Sequence, residues 1–458
     1  MTKTAAIILA AGKGTRMISA KPKVLHQLGG KYLIQHVIDE AKKAGIEQLI
    51  LVIGHGGEEV KTVLGDGFTY AWQREQLGTG HAVMQGIAYL DQDVEQVVVL
   101  SGDVPFLRGE TIVGLLNSFR EEQAKAIVLT AKYSNPKGYG RIVRDSVGRI
   151  QKIVEDSDAS LKELAINEIN SGTYCFEKAE LLAALKNLKP NNAQGEYYLT
   201  DVIQKLREKD LPISGFLAAD AMETKGINDR VQLAEMEAHY RREINRRLML
   251  AGVTMVDPET VYIDAGVIIG QDTLIHPFTN IQGSTSIGEG CILGPNVTII
   301  DSEIGNRVTA RQAVAEQAKI ADECKLGPFT YLRPGTVLEK GVKIGDFVEI
   351  KNTVVGEGSK VPHLTYLGDA ILGKSVNVGA GTITCNYDGK NKYQTVIEDE
   401  AFIGSNSNLV APLKIGMKAY VAAGSTLTKN VPPGSLAVAR EKQRIIADWE
   451  EKKIKKED

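Results

Sequence analysis

Ile263-Asp264-Ala265-Gly266-Val267-Ile268-Ile269-Gly270-Gln271-Asp272-Thr273-Leu274-Ile275 opens a run in which every sixth residue is aliphatic. Ile263, Ile269, Ile275, Ile281, Ile287, Leu293 and Ile299 form one unbroken series. Ile320, Leu326, Leu332, Leu338, Ile344 and Ile350 form a second, and Ile397, Ile403, Leu409, Ile415, Val421 and Leu427 a third. A helical face repeats near 3.6 residues, and six is not a multiple of that period. Six does fit strand alternation, with one inward side chain per short strand and a turn after it. The period predicts a parallel β-helix. Three six-residue sides make one triangular coil, and stacked coils lie about 4.8 Å apart. Residues 263–427 then give roughly nine coils, a prism on the order of 40 Å long. Glycines at Gly270, Gly288, Gly294, Gly327, Gly345, Gly404 and Gly416 suit its corners. A β-sandwich of alternating strands is the alternative, and it fits less well because its turns recur at about 8–12 residues. The series breaks between Ile299 and Ile320, and again between Val378 and Ile397; both breaks are expected to project as loops.

The chain has 458 residues and a net charge of −3, enough for two or three domains and without the basic balance of a nucleic-acid or membrane-surface binder. No apolar run reaches the length of a membrane span, and Met1-Thr2-Lys3-Thr4 leads into a strand-like segment without a signal-peptide layout. Cys175, Cys291, Cys324 and Cys385 are scattered with no CxxC spacing, so a zinc site is not expected and free thiols in a reducing cytoplasm are.

Ahead of the repeat, strand-like Thr4–Leu9, Gln48–Ile53, Gln96–Leu100 and Ala126–Ala131 alternate with helix-like Ile34–Ala44, Gly80–Tyr89 and Glu110–Glu122. That alternation predicts an α/β domain with a largely parallel sheet over 1–229. One helix over 230–251 comes next, with Asp229 as N-cap, Gly252 as stop, and Leu233, Met236, Tyr240, Ile244 and Leu248 as its apolar stripe. Its arginines, Arg241, Arg242, Arg246 and Arg247, read as a solvated face rather than a nucleic-acid contact. The β-helix domain occupies 252–458 and ends in a basic, exposed tail, Lys452–Asp458.

Strand Ala5–Leu9 runs into Ala10-Ala11-Gly12-Lys13-Gly14-Thr15-Arg16-Met17, a small-residue turn that lets backbone N–H groups approach an anion. Lys13, Arg16 and Lys23 add positive charge for a polyphosphate. The dinucleotide motif is absent, because Met17 stands where its third glycine would be, and so is the Walker pattern. Asp103, in Ser101-Gly102-Asp103-Val104-Pro105, comes after a buried strand, where α/β sheets bind ligands. It is either a magnesium ligand or a turn-capping aspartate.

The Leu9–Met17 loop, Lys21-Pro22-Lys23 and Ser101-Gly102-Asp103 resemble the sugar-nucleotide pyrophosphorylases. With the hexapeptide half and His363-Leu364-Thr365-Tyr366-Leu367-Gly368-Asp369-Ala370, residues 2–450 resemble one bacterial family. These are the bifunctional N-acetylglucosamine-1-phosphate uridyltransferases and glucosamine-1-phosphate acetyltransferases. The resemblance implies a Rossmann-like nucleotidyltransferase domain, a linking helix and a left-handed parallel β-helix. It implies that Leu9, Ala10, Ala11, Gly12 and Lys23 contact the nucleotide and that Gln73, Gly78 and Thr79 recognise the uracil. Gly140, Glu155 and Asn170 would hold the sugar. Asn228 would join Asp103 on Mg2+ and also border UDP-N-acetylglucosamine, while Arg16 and Lys23 would act on the phosphates.

The resemblance makes His363 the base of acetyl transfer; an imidazole suits that task near neutral pH, although a lone histidine is more often surface or packing. Arg333, Lys351, Tyr366 and Asn377 would bind glucosamine-1-phosphate, and Ala380, Asn386, Tyr387, Ser405, Ala423 and Arg440 would line the acetyl-CoA groove. UTP, acetyl-CoA, glucosamine-1-phosphate and N-acetylglucosamine-1-phosphate are the implied small molecules. A cytoplasmic homotrimer is the implied assembly, with no nucleic-acid or membrane partner. Two other readings stand beside this one: a single-activity nucleotidyltransferase whose β-helix regulates or oligomerises, and a non-enzymatic scaffold that leaves the Gly12 loop and Asp103 unexplained.

Overall fold

A computed structural model describes Lys3–Glu450; the tail Lys452–Asp458 lies outside the described residues. The chain divides into two compact units, Met1–Tyr240 and Arg241–Asp458.

Nine strands make the sheet of the first unit: β1 (Lys3–Ala10), β2 (Gln48–Ile53), β3 (Thr69–Trp72), β4 (Val94–Ser101), β5 (Ala126–Lys132), β6 (Arg141–Arg144), β7 (Ile150–Val154), β8 (Glu168–Glu177) and β9 (Ile213–Leu217). They run in the order β9-β5-β8-β4-β1-β2-β3, with the β6–β7 hairpin attached to β8. β1 is parallel to both β2 and β4, whereas β8 is antiparallel to β4 and β5. Alternate residues of β1 serve opposite faces, as strand geometry requires. Ala6 and Ile8 pack toward α1 (Leu33–Lys43) and, one element further on, α3 (Gly109–Glu121). Ala5 and Ile7 pack into the core that α2 (Thr79–Ile87), α4 (Lys178–Leu185) and α5 (Thr200–Glu208) close. Both faces are covered, which is why β1 and β4 read as continuous apolar runs. β1 has β2 on one side and β4 on the other, so a crevice opens at their carboxyl ends, Ala10 and Ser101.

Helix α6 (Arg230–Leu250) starts where Asp229 Oδ1 accepts the Gln232 N–H at 2.8 Å. Within the first unit Met236 is buried with Leu28, Leu33, Phe106 and Ile227, with Leu233 and Tyr240 beside them. Within the second, the buried Asn245 amide donates to the carbonyls of Pro258 and Val261 at 2.8 and 3.0 Å. Arg241 lies over the Tyr262 ring and Arg242 bonds Glu259, so two of the four arginines are committed to their own chain.

The second unit is a parallel β-helix whose short strands stack coil on coil, with the residues of all three aliphatic series buried. The first break is not a projecting loop. Ile304, Ala310 and Ala315 carry the inward column across it, Ile304 pairing with Ile320, Ala310 with Leu326 and Ala315 with Leu332. These coils close in sixteen or seventeen residues because some sides have five residues, and two inward positions are alanine. A strict six-residue search for large aliphatics passes over them. The second break does project: Thr384 points inward, and the chain then leaves the coil between Asn386 and Gln394, where Tyr387 bridges Lys392. The cysteines are free, three of them buried and Cys385 partly so.

Placing Ala315 inside the coil has a measurable consequence. Ala315→Asp should cost at least about 3 kcal/mol in urea unfolding, because it buries an unpaired carboxylate. A residue of a solvated loop would accept it within about 0.5 kcal/mol.

Candidate active sites

The β1/β4 crevice holds a cavity of about 480 Å³ lined by Leu9, Ala10, Ala11, Gly12, Lys23, Gln73, Gly78, Thr79 and Asp103, together with Lys13, Gly14, Thr15, Gln76, Ser101 and Glu196. Its phosphate-loop side depends on Gly14, which has φ +60°; a Cβ there would lie 2.7 Å from Lys23 Cβ. No neighbouring heavy atom lies within 4 Å of a Cβ built on Gly12, so that peptide faces open space. The opposite side depends on Gly78, with φ +101°, where a Cβ would meet the Tyr197 carbonyl at 2.7 Å. Buried Gln73 donates through Nε2 to the Gly78 carbonyl at 3.0 Å and lies 3.2 Å from His81 Nδ1, which fixes the plane of its amide.

Asp103 and Asn228 converge. The Lys23 ammonium donates to Asp103 Oδ2 and, at 3.0 Å, to Asn228 Oδ1. The backbone reinforces the junction, the Ile227 N–H donating to the Asp103 carbonyl at 3.0 Å. One carboxylate and one amide oxygen facing a single positive charge fit a magnesium ion whose shell is completed by water or phosphate oxygens.

Gly140, Glu155 and Asn170 also come together. A Cβ on Gly140 would lie 3.4 Å from Glu155 Oε2 and 3.5 Å from Asn170 Cβ. Asn170 donates to the Tyr174 hydroxyl at 2.7 Å, and Thr200 donates to Glu155 Oε1 at 3.2 Å. Burial pushes the Glu155 carboxyl above its ordinary range, with the Thr200 hydrogen bond opposing. Arg16 is exposed in a short 3-10 turn and does not line the cavity.

On the second unit, strands β10 (Lys343–Lys351) and β11 (Lys360–Gly368) run through a corner and pair residue by residue. His363 faces Asp346 there, Nδ1 to Oδ1 at 2.5 Å. The hydrogen bond from His363 holds the Asp346 carboxyl below its ordinary range. An ionised carboxylate only accepts, so Nδ1 is the donor of this bond, which leaves Nε2 as the ring nitrogen turned away from Asp346. Asp346 was invisible to spacing, because an eighteen-residue coil would put Gly345 opposite His363. The five-residue side from Ile350 to Val355 shortens this coil to seventeen.

Arg333 donates to Glu349 at 2.8 Å, and Glu349 stands opposite Tyr366 in register. Lys351 is held below its ordinary value first by Lys392, an ammonium supplied by the projecting loop. Asn386 bonds Asp369, and its amide and the Tyr366 hydroxyl would both meet a Cβ on Gly368, so Asn386 belongs with Lys351 and Tyr366. Asn377 does not join them: it pairs with Lys360 and Phe402 on the preceding flat side of the coil. Ala380, Ser405 and Ala423 continue from His363 up the corner through the bonds Gly381 N–H to Leu364, Asn406 N–H to Ala380 and Gly424 N–H to Ser405. Arg440 Nη1 closes the column on the Ala423 carbonyl at 2.7 Å. Tyr387 is on the loop, exposed.

Fold and sites define a two-part transferase, a nucleotidyltransferase unit succeeded by a hexapeptide-repeat unit. The nucleotidyl transferase family model matches residues 5–222; the bacterial transferase hexapeptide model matches 266–301, and the hexapeptide repeat of succinyl-transferase matches 394–429. The bifunctional protein GlmU of Heliobacterium modesticaldum is 54% identical over 97% of this chain and 97% of its own length. GlmU of Carboxydothermus hydrogenoformans is 53% identical over 97% of this chain and 99% of its own, and that of Syntrophomonas wolfei is 51% identical over 97% and 99%. The chain belongs to the GlmU family of bifunctional transferases. Among the described residues no helix is long and apolar enough to cross a membrane.

The Glu155 carboxyl gives a test of the sugar subsite. Its folded value is raised, so the acid form favours the fold at low pH and that contribution is lost as pH rises through the raised value. Glu155→Gln should therefore raise Tm more at pH 8 than at pH 5 in paired melts. It should also raise the KM for sugar phosphate about tenfold, the loss of one charge-assisted hydrogen bond.

Proposed function

We propose that the chain makes UDP-N-acetylglucosamine in two steps. The β-helix unit moves an acetyl group from acetyl-CoA to the amine of glucosamine-1-phosphate. The α/β unit then joins the product, N-acetylglucosamine-1-phosphate, to UMP from UTP, with release of pyrophosphate. The observation that carries this reading is the Asp346–His363 pair at the foot of the Ala380–Ser405–Ala423 corner, in a chain whose other unit holds the Asp103–Asn228–Lys23 cluster. We assign 1–229 and 252–458 to the two activities and 230–251 to the helix linking them.

In acetyl transfer, Asp346 orients the imidazole and His363 Nε2 takes the amine proton as nitrogen attacks the thioester carbon. The CoA thiolate leaves as the C–S bond breaks. Arg333, Lys351 and Lys392 offer cations to the sugar phosphate, and Tyr366 and Asn386 border it. The low-profile corner of Ala380 and Ala423 gives the pantetheine arm a smooth path toward Arg440, which meets a CoA phosphate. Tyr387 borders the groove from the loop.

In uridylyl transfer, a sugar-phosphate oxygen attacks the α-phosphorus and pyrophosphate leaves in line, so positioning and charge neutralisation dominate. The Gly12–Thr15 loop presents N–H groups to the triphosphate, and Gln73, held by Gly78 and His81, pairs with the base edge. Lys23 faces the phosphates from the cavity wall, Arg16 would have to swing in from its exposed turn to reach them, and Gly140, Glu155 and Asn170 receive the sugar hydroxyls. Asp103 and Asn228 would hold Mg2+, which when bound would neutralise triphosphate charge.

Two observations favour a homotrimer in which neighbouring chains complete the acetyl-transfer site. Asn377 lies across the corner from Arg333, Lys351 and Tyr366. Phe329, Phe347 and Leu364 stack beside Asp346 and His363 while 53%, 55% and 60% exposed, all with positive φ. Most other left-handed positions of this unit carry glycine or a polar residue; large apolar side chains there suit a partner surface. This reading puts the enzyme in the cytoplasm, where it would supply peptidoglycan synthesis and lipopolysaccharide or cell-wall biogenesis.

His363→Ala should lower acetyl-transfer kcat by about 10²–10⁴ and leave uridylyl transfer intact, and Asp346→Asn should act in the same direction to a lesser degree. Asp103→Ala should do the reverse. Coupled assays with acetyl-CoA and with UTP read both, and loss of both activities in a folded His363→Ala protein would refute the two-site reading. Phe347→Ser with Leu364→Ser should shift the sedimentation coefficient from trimer toward monomer. Acetyl transfer should fall with it while uridylyl transfer holds.

A further inference from the structure

We propose that Lys23 is an internal counter-ion: its ammonium fills the Asp103–Asn228 site, and a divalent cation must displace it to enter. This rests on the assignment of Asp103 and Asn228 as the metal ligands. The ammonium is bonded to both oxygen atoms at once, and the three residues come together from positions 80 and 205 apart in sequence. The Lys23 and Asp103 side chains are 17% and 19% exposed, so solvent does little of the screening that the pair does for itself. A divalent cation drawn to these oxygens is repelled by the ammonium already bonded to both, so occupancy by one opposes the other. The donor set is also sparse. Among the described residues no group of three or more histidine, cysteine or acidic side chains is placed to hold a metal. One carboxylate and one amide bind a divalent ion weakly, and phosphate oxygens must complete its shell.

The geometry shows where the displaced ammonium would go. The base of Lys23 is pinned, with its Cβ against Gly14 of the phosphate loop, and Lys23 lines the same cavity as Gly12, Lys13 and Thr15. Only the flexible end of the stem has to swing. On leaving Asp103 it remains beside the loop that receives the triphosphate. Metal entry and delivery of Lys23 to the nucleotide are then one event. The free protein resists divalent cations, and UTP and metal bind with positive coupling because the phosphates give Lys23 an alternative anion.

The test is Mn2+ binding by the full-length protein, monitored by electron paramagnetic resonance, with and without UTP. Without UTP, Lys23→Met should bind Mn2+ at least about tenfold more tightly than wild type, since the competing charge is gone. Lys23→Gln, which removes the charge but can still donate hydrogen bonds, should do the same and serves if Lys23→Met melts early. UTP should raise the Mn2+ affinity of wild type by a larger factor than that of either variant. Mn2+ affinity in both variants equal to or below wild type overturns the counter-ion. The underlying assignment is checked separately in the Lys23-containing protein. Asp103→Asn should abolish the protein-bound Mn2+–UTP signal, and its persistence would overturn the metal site itself whatever the Lys23 variants do.

Discussion

A parallel pair of strands cannot be closed by a hairpin; the chain must cross back before it can pair again. Both units answer that constraint, in different ways. In the first, helices carry the return, so the strands end in loops at one edge of the sheet, and the reversal between β2 and β4 about β1 leaves a crevice there. In the second, the return is the rest of the coil, two further flat sides that are themselves strands. Ligand-facing groups therefore collect at strand ends in one unit and along a corner column in the other. The Gly12 loop and Asp103 are the first case, and His363, Ala380, Ser405 and Ala423 the second.

The two sites manage charge differently. In the crevice, the excess cation is neutralised internally, Lys23 against Asp103 with Asn228 assisting. On the β-helix, Arg333 has Glu349, but Lys351 and Lys392 oppose each other, with Asp369 as the nearby carboxylate. Two ammonium groups pressed together favour an arriving anion, and a phosphate relieves both. Asp369 restrains the pair in the free protein, its own charge favoured by hydrogen bonds from Asn352 and Asn386 against the cost of burial.

Features carried by a period or by a contiguous motif are legible in the sequence. The aliphatic series, the Leu9–Met17 loop and the Asp103 turn each stand as unbroken strings, and the main strands and helices of the first unit lie within a residue or two of where alternation put them. The misses share a cause. Asp346, Glu349 and Lys392 act through neighbours one coil away, or from a loop, and the offset depends on how many residues each side spends. A single five-residue side moves the partner of His363 from Gly345 to Asp346. Ala310 and Ala315 were hidden for a related reason: alanine fills an inward position that only the pairing reveals. In the first unit, Thr200 and Glu196 support or border assigned groups from distant segments, and nothing local marks them.

The corner at His363 shows why periodicity alone could not have located a site. A coil needs a sharp bend between flat sides, and the bend here puts Phe347 and Leu364 in the left-handed region, each directly after Asp346 or His363. Left-handed backbone costs an ordinary residue about 1 kcal/mol or more, which glycine would avoid. Retaining bulky apolar residues at successive bends works against the isolated chain, with local preference and exposure both unfavourable. The conflict disappears if those side chains are covered in the working assembly. The same bend turns Asp346 and His363 outward on adjacent coils, within hydrogen-bonding distance. Backbone geometry that is costly for one chain thus presents the Asp346–His363 pair and the apolar surface beside it together. That coincidence is what the proposed assembly explains, because a partner chain covering Phe347 and Leu364 would also border His363.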